Sequence, residues 1–260
     1  MVLEERHEQI LSILMEQQSI TVGELSQRFA VSSVTIRHDL NHLAESGRIV
    51  RTHGGARLGD SRGLQEVAFS KRQKINAAEK RQIGHLAASL VQSGESILLD
   101  GSSTAVAVAT ALSRRNDLTN VSVVTTGIWT ALEMLGATHL DVVLTGGHLR
   151  DATGTIAGMI AKEVLNRFRF QKGFLGAWGL TAEDGLMDGP LADLELKMAI
   201  VPRCQEIVAI VDSSKFGRMG LASFASTAQI STIITGTATP AETLSPFHHA
   251  GVAIKVANFF

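Results

Sequence analysis

The chain has 260 residues, 45% of them hydrophobic and 19% charged, which suits one large domain or a small and a medium one, each with its own core. Its formal net charge of −1 does not advertise a polyanionic partner, and a single cysteine, Cys204, excludes a disulfide framework and a cysteine-based metal site. No apolar run reaches the roughly 18 residues a membrane span needs. No apolar leader surrounds Glu4, Glu5 and Arg6, so a cytoplasmic protein is expected.

Thr21 and Glu24 stand at the spacing of a capping box, which predicts a helix starting at Val22. Val22, Leu25 and Phe29 mark its buried side. After a turn at Ala30 and Val31, Ser32 or Ser33 can cap a second helix, whose Ile36, Leu40 and Leu43 repeat at i, i+4 and i+7. At about 100° per residue the opposite face collects Val34, His38 and Asn41, flanked by Thr35 and Arg37. Hydroxyls, a guanidinium and an imidazole at the front of a short helix suit a DNA major groove. Gly47 closes the helix, and residues 48–51 and 56–58 read as strands around His53, Gly54 and Gly55, a hairpin with a basic wing.

A helical pair that merely caps another domain, with Arg37 and Arg51 as solvated charges, is the competing reading. The capping box, turn, polar face and wing in one run favour a winged helix-turn-helix over residues 1–58. It would bind double-stranded DNA through Ser32, Ser33, Val34, Thr35, Arg37, His38, Arg51 and His53. Those 58 residues hold six arginines against seven acids, yet from residue 30 onward only Asp39 and Glu45 oppose four of the arginines. A module with so little excess charge binds one half-site poorly, so a homo-oligomer, dimer or tetramer, is expected to supply the affinity.

Residues 59–65 form a polar, glycine-containing linker, and 66–260 a larger domain. Residues 66–90 read as helical, with Lys71, Arg72, Lys74, Lys80 and Arg81 taken as a solvated face. Strands follow at 96–100, 121–125, 140–144, 172–176, 206–211, 230–235 and 251–256, separated by helix-length segments. This alternation predicts an α/β fold with an open, mostly parallel sheet, and the last two strands are expected to form the self-association surface. Ligands of such sheets bind outside the carboxyl ends of the strands. There the chain places Asp100 to Thr104, Thr125 to Gly127, Thr145 to Gly147 and Asp212 to Lys215. Gly101 lets backbone approach an anion, Ser102, Ser103 and Thr104 bring hydroxyls and amides, and the following helix presents its positive end, which together make a phosphate cradle.

Two sets of motifs carry a resemblance. Thr35-Ile36-Arg37-His38-Asp39-Leu40 and Gly54-Gly55-Ala56 resemble the DeoR-type bacterial repressors, whose motif runs approximately Thr-Ile-Arg-Arg-Asp-Leu and then Gly-Gly-Ala. His38 departs from that pattern, which bears on the operator sequence and not on the binding mode. Residues 98–104, Gly146-Gly147, 173–179, Asp193, Glu195, Lys197 and 212–217 resemble the sugar-phosphate sensing domain of the same repressors, a domain similar to ribose-5-phosphate isomerase in fold. The resemblance implies a repressor of a carbohydrate catabolic operon, with operator binding modulated by a phosphorylated sugar or polyol. It further implies that Asp100, Gly101, Ser102, Ser103 and Thr104 hold the phosphate, that Thr126 and Gly147 line the pocket, and that Asp193, Lys197 and Lys215 address hydroxyls or phosphate. Trp178 stands where the family often has an acid, and either stacks on a sugar or packs against helices.

An isomerase of this fold needs a carboxylate base and a lysine beside the sugar carbonyl. No acid lies in residues 176–179, although Asp184 and Asp188 are near. Sensing without turnover is therefore the expectation, with no cofactor and no metal, since the histidines are scattered.

Overall fold

The computed structural model describes residues 3–17, 19–45, 49–52, 54–58 and 69–258. The chain divides into two compact units, Met1–Leu64 and Gln65–Phe260. The expected linker and His53 lie outside the described residues.

The first unit runs α1 (Leu3–Gln17), β1 (Ser19–Thr21), α2 (Val22–Phe29), α3 (Ser33–Glu45), β2 (Ile49–Thr52) and β3 (Gly55–Leu58). The capping box sets the start of α2. The Thr21 amide donates to Glu24 Oε2 at 2.8 Å and the Glu24 amide to Thr21 Oγ1 at 3.2 Å, so orphan amides of the first turn find acceptors locally. Ala30 ends α2 in the left-handed region at φ 53°. Ser32, rather than Ser33, caps α3: its Oγ accepts the Thr35 amide at 3.1 Å. α1 was not anticipated. Its Ile10, Leu11, Ile13 and Leu14 are buried against Leu25, Ile36, Leu40 and Leu43, with Ile20, Ile49 and Ala56 closing the core from the sheet.

That sheet has the order β1-β3-β2, antiparallel throughout. Gly55 sits opposite Thr21, and a Cβ there would stand 2.0 Å from the Ile20 carbonyl oxygen, so the wing's glycine is required by a close backbone approach. Asp39, expected to oppose the basic face of α3, is instead buried with Arg6 of α1. Arg6 Nε and Nη2 donate to Asp39 Oδ2 and Oδ1 at 2.6 and 3.0 Å, and His7 Nε2 lies 3.3 Å from Oδ1. Burial alone would raise the Asp39 carboxyl, but the Arg6 hydrogen bonds and charge, then His7, hold it below the usual carboxylate range.

The second unit runs α4 (Phe69–Lys74), α5 (Ala77–Ser89), β4 (Ser96–Leu99), α6 (Ser103–Leu112), β5 (Val121–Thr125), α7 (Ile128–Leu132), β6 (Leu140–Leu144), β7 (His148–Arg150), β8 (Thr155–Ala157), α8 (Met159–Asn166) and β9 (Phe170–Leu175). It continues with β10 (Gly179–Thr181), β11 (Gly185–Asp188), α9 (Leu191–Ile200), β12 (Cys204–Ile210), β13 (Ala222–Ala225), β14 (Thr232–Gly236), α10 (Ala241–His249) and β15 (Ala253–Ala257). The expected 66–90 helix is broken between α4 and α5. Asn76 adopts φ 51° there, and its Nδ2 donates to Asp212 Oδ1 at 2.8 Å, tying the break to the end of β12.

Seven strands form one parallel sheet in the order β15-β14-β12-β9-β4-β5-β6. Both faces are buried. Leu98, Val124, Leu175, Ala209 and Ile233 join one core with α8, α9 and α10. Ile97, Leu99, Val123, Phe174, Val208 and Ile234 join the other with α5 and α6. Double burial is why these strands read as continuous apolar runs. The short antiparallel elements, a β10-β11-β13 sheet and the β7-β8 hairpin, were not foreseen.

The expected self-association surface needs correction at β14, an interior strand whose Ile233 and Ile234 are fully buried. Large exposed apolar side chains stand on α7 (Trp129, Leu132), α8 (Met159, Ile160) and α9 (Leu191, Met198), with Val256 alone on β15. Among the described residues no helix is long and apolar enough to cross a membrane, and no group of three or more His, Cys, Asp or Glu could hold a metal ion.

Candidate functional site

The exposed face of α3 carries Ser33, Val34, Arg37, His38 and Asn41, while Ile36, Leu40 and Leu43 are buried on the opposite side. Val34 is 70% exposed, and a valine that leaves so much apolar surface in water at the front of a helix is available for a thymine methyl. Ser32 and Thr35 are partly committed to the cap, their hydroxyls 2.9 Å apart. Arg51 is half-buried, with Nη1 donating to the Gly55 carbonyl at 3.0 Å, so one of its donors stiffens the hairpin it was expected to arm. Arg37→Ala is expected to weaken DNA binding by about 1–3 kcal/mol with no loss of fold, because the side chain is exposed and spends nothing on the core. A salt-titrated gel shift on DNA selected by the wild-type chain checks it, and unchanged affinity would remove Arg37 from the interface.

The second site forms where the strand order reverses. β4 pairs with β5 on one side and with β9 on the other, and the chain diverges from β4 and β9 at their carboxyl ends, Asp100 and Gly176. Such a divergence leaves a crevice between adjacent strands. Asp100 is buried and fully engaged: Oδ1 accepts the Ser102 amide at 3.0 Å, Oδ2 accepts the Gly176 amide at 2.9 Å, and Lys197 Nζ lies 3.2 Å from Oδ2. Lys197 reaches in from α9 and donates to the Gly176 carbonyl at 2.7 Å and to Asp188 Oδ2 at 2.5 Å. Burial would strip its charge, but Asp188 and then Asp100 outweigh that and hold the ammonium protonated well above lysine's ordinary range. Asp188 also accepts the Gly189 amide at 2.8 Å.

This knot of charge fixes the walls of a narrow, open cleft lined by Gly101, Ser102, Thr126, Thr155, Asp193 and Arg72 among others. Ser102 caps α6 by accepting the Ala105 amide at 3.1 Å, which leaves the first turn of the helix facing the cleft with its positive end. Asp193 is held by Arg150 Nη1 at 2.7 Å through Oδ2, while its buried Oδ1 has no hydrogen-bond partner.

Of the residues expected here, Asp100, Gly101, Ser102, Thr126, Asp193 and Lys197 come together. Ser103 and Thr104 are buried in the first turn of α6, and Ser103 borders a separate groove beside Lys80 and Val106. Gly147 lies outside the cleft. Its φ of 140° and the Ala157 carbonyl oxygen, 2.6 Å from where a Cβ would stand, give it a turn-forming role before β7. Lys215 is placed in the corner after β12, not on the cleft wall. Trp178 carries the Arg218 guanidinium 3.8 Å over its ring. Arg72, expected to face solvent, lines the cleft, and Asp188 is the acid nearest Lys197. Asp184 instead turns its carboxylate toward Thr181 in the β10-β11 turn.

The family model for the DeoR-like helix-turn-helix domain matches residues 6–62, and that for the DeoR C terminal sensor domain matches residues 75–237. The HTH-type transcriptional regulator GolR of Listeria innocua is 35% identical over 254 residues, covering 98% of each chain. The glycerol-3-phosphate regulon repressor of Escherichia coli is 30% identical, covering 94% of this chain and 96% of that protein. The lactose phosphotransferase system repressor of Lactococcus lactis is 32% identical over 82% of this chain and 83% of its own. Among solved structures, ribose 5 phosphate isomerase A from Neisseria gonorrhoeae aligns over 55% of this chain and 53% of its own, at 18% identity and a TM-score of 0.39.

Proposed function

The chain belongs to the DeoR family of helix-turn-helix transcriptional regulators, and on that premise we propose that it represses a carbohydrate catabolic operon and releases its operator when a phosphorylated sugar or polyol fills the cleft beside Asp100. The observation that carries the reading is the convergence, at one strand-order reversal, of the α6 amino terminus with a charged Lys197 held between Asp100 and Asp188. A helix start favours a phosphate, and carboxylates and an ammonium suit a polyol. The relatives point the same way, since two of them are named for a glycerol-3-phosphate regulon and a lactose phosphotransferase system.

Sensing without turnover fits the same geometry. Asp188, the acid best placed to act as a base, already accepts from Lys197 and from the Gly189 amide, so neither group is free for proton transfer. On the DNA side, Ser33, Val34, Arg37 and His38 form the reading face, Arg51 supports it from the wing, and Ser32 and Thr35 present its first turn.

The test is operator binding measured against phosphorylated sugars and polyols, each beside its unphosphorylated form. We expect at least one phosphorylated compound, and not its free counterpart, to lower operator affinity. Ser102→Asp keeps an oxygen that can cap α6 while adding a negative charge to the cleft, so it is expected to abolish the response and preserve ligand-free DNA binding. An unchanged response in that variant would place the phosphate elsewhere.

Assembly follows from the lack of any net positive charge on the DNA-reading unit, where six arginines stand against seven acids. We expect a dimer or tetramer that buries Met159, Ile160, Leu191 and Met198. Sedimentation at micromolar concentration as a monomer would overturn this.

A further inference from the structure

One corner of the second unit holds more positive charge than its carboxylates balance. Arg72 of α4 lines the cleft with Gly101 and Ser102, and its Nε and Nη2 are buried without a hydrogen-bond partner. Its backbone is fixed, because Lys80 Nζ donates to the Arg72 carbonyl at 2.6 Å, and its guanidinium carbon rests 5.7 Å from the Phe69 ring centroid. Buried guanidinium N–H groups are rarely left without acceptors.

Burial, opposed by Asp212 and reinforced by the charges of Arg218, Lys80 and Arg72, brings the Lys215 pKa down to about 8. The Arg218 guanidinium carbon lies 3.8 Å over the Trp178 ring, and its Nε is also buried without a hydrogen-bond partner. Four cations, Arg72, Lys80, Lys215 and Arg218, thus share this corner with two carboxylates, Asp212 and Glu79, the latter taken by the Ser213 amide and hydroxyl. Asp212 Oδ1 already accepts from Asn76 and Ser214, while its Oδ2, buried without a hydrogen-bond partner, lies 3.9 Å from Lys80. Asp188, the other acid near Arg218, is taken by Lys197. Such an imbalance in a part-desolvated corner is the environment of a bound anion.

We propose that Arg72 is an effector-binding residue, its guanidinium taking the phosphoryl oxygens of the ligand across from the Gly101–Ser102 turn, with Lys215 and Arg218 supplying the surrounding positive field. The proposal rests on the reading of this cleft as the effector site, and it orients the ligand. The phosphoryl group faces α4 and the start of α6. The hydroxyls face Asp193, whose unpartnered Oδ1 accepts a hydroxyl proton and repels a phosphate. It also names a route for the signal. α4 is the first described element of the second unit, so an anion that engages Arg72 acts on the part of that unit nearest in sequence to the DNA reader.

The experiment is a thermal-shift titration of the full chain with inorganic phosphate, ribose 5-phosphate, glycerol 3-phosphate and sorbitol 6-phosphate, each beside its phosphate-free counterpart. Arg72→Gln is expected to weaken binding of the responding phosphate compound about tenfold or more, and Arg72→Lys less, because it keeps the charge and loses the fork. Lys71→Gln, an exposed change on the same helix, leaves affinity unchanged. Equal affinity in wild type and both Arg72 variants overturns the proposal while leaving the effector reading intact. Stabilisation by inorganic phosphate alone, lost in Arg72→Gln, upholds the anion seat and removes the sugar-phosphate reading. A lower half-saturation for a sugar phosphate than for inorganic phosphate shows that the phosphoryl group arrives on a larger ligand. Indifference of the wild-type chain to every compound overturns both.

Discussion

Lys197→Met is expected to destabilise the sheet unit by about 3–5 kcal/mol, the usual cost of removing one partner from a buried charge pair. The side chain is 8% exposed, and its ammonium is the charge that Asp188 and Asp100 both face, as well as a donor to the Gly176 carbonyl. Without it, two buried carboxylates lose their counterion and a buried carbonyl loses its donor. Lys162→Met offers the contrast. Lys162 meets Glu195 at 2.5 Å, but both side chains are more than a third exposed, and such surface pairs contribute about 0–1 kcal/mol. Denaturant unfolding of both variants checks the expectation. Equal losses would mean that burial, and not contact distance, has been given too much weight.

Arg6→Ala is expected to cost the DNA-reading unit a similar amount, about 3–5 kcal/mol, and with it operator binding. The Arg6 fork is what lets a carboxylate as buried as Asp39 remain charged inside the core that positions α3. The pH dependence has a definite sign. Because the Asp39 carboxyl lies below its usual range in the folded unit, its contribution is fully present above the unfolded value of about 4 and is lost as pH falls through the folded value. Arg6→Ala should therefore remove an acid limb from the stability profile as well as lower its plateau. Hydrogen exchange of α3 amides between pH 3 and 7 reads both, and a variant with the wild-type acid limb would assign that limb to another carboxylate.

What was legible in the sequence was local or strongly patterned. Thr21 and Glu24 meet across three residues, so the start of α2 could be read from spacing alone. The seven parallel strands announced themselves because both faces are buried, and the order reversal followed from no single segment but still put Asp100 at a strand end. The three-residue strands β7, β8 and β10 are too short to carry a period. α1 carries Ile10, Leu11, Ile13 and Leu14 at helical spacing, and it shows its buried face only once Leu25, Ile36 and Leu40 of later elements pack against it.

Long-range partnerships were the main loss. Asp39 sits inside a motif that looks like a DNA-contacting face, and only its pairing with Arg6, 33 residues away, shows that it looks inward. Arg72 belongs to a run of cations that reads as a solvated helix, and the break at Asn76, bolted to Asp212 across 136 residues, is what ends that helix beside the cleft.

The pairing of β4 with β9 also fixes an order of events during synthesis. Ile97 lies opposite Lys172, so the central pair of the sheet cannot close until some 75 further residues have left the ribosome. The walls of the cleft wait longer still, since Lys197 is needed to hold Asp100 and Asp188. The DNA-reading unit, by contrast, has its whole described core between Ile10 and Ala56 and can fold at once as the first part to emerge. A chain cut short before β9, by a nonsense codon or a protease, would therefore keep the described core of the first unit but lose Lys197 and all of α9, and with them both the cleft and half of the apolar surface proposed for assembly.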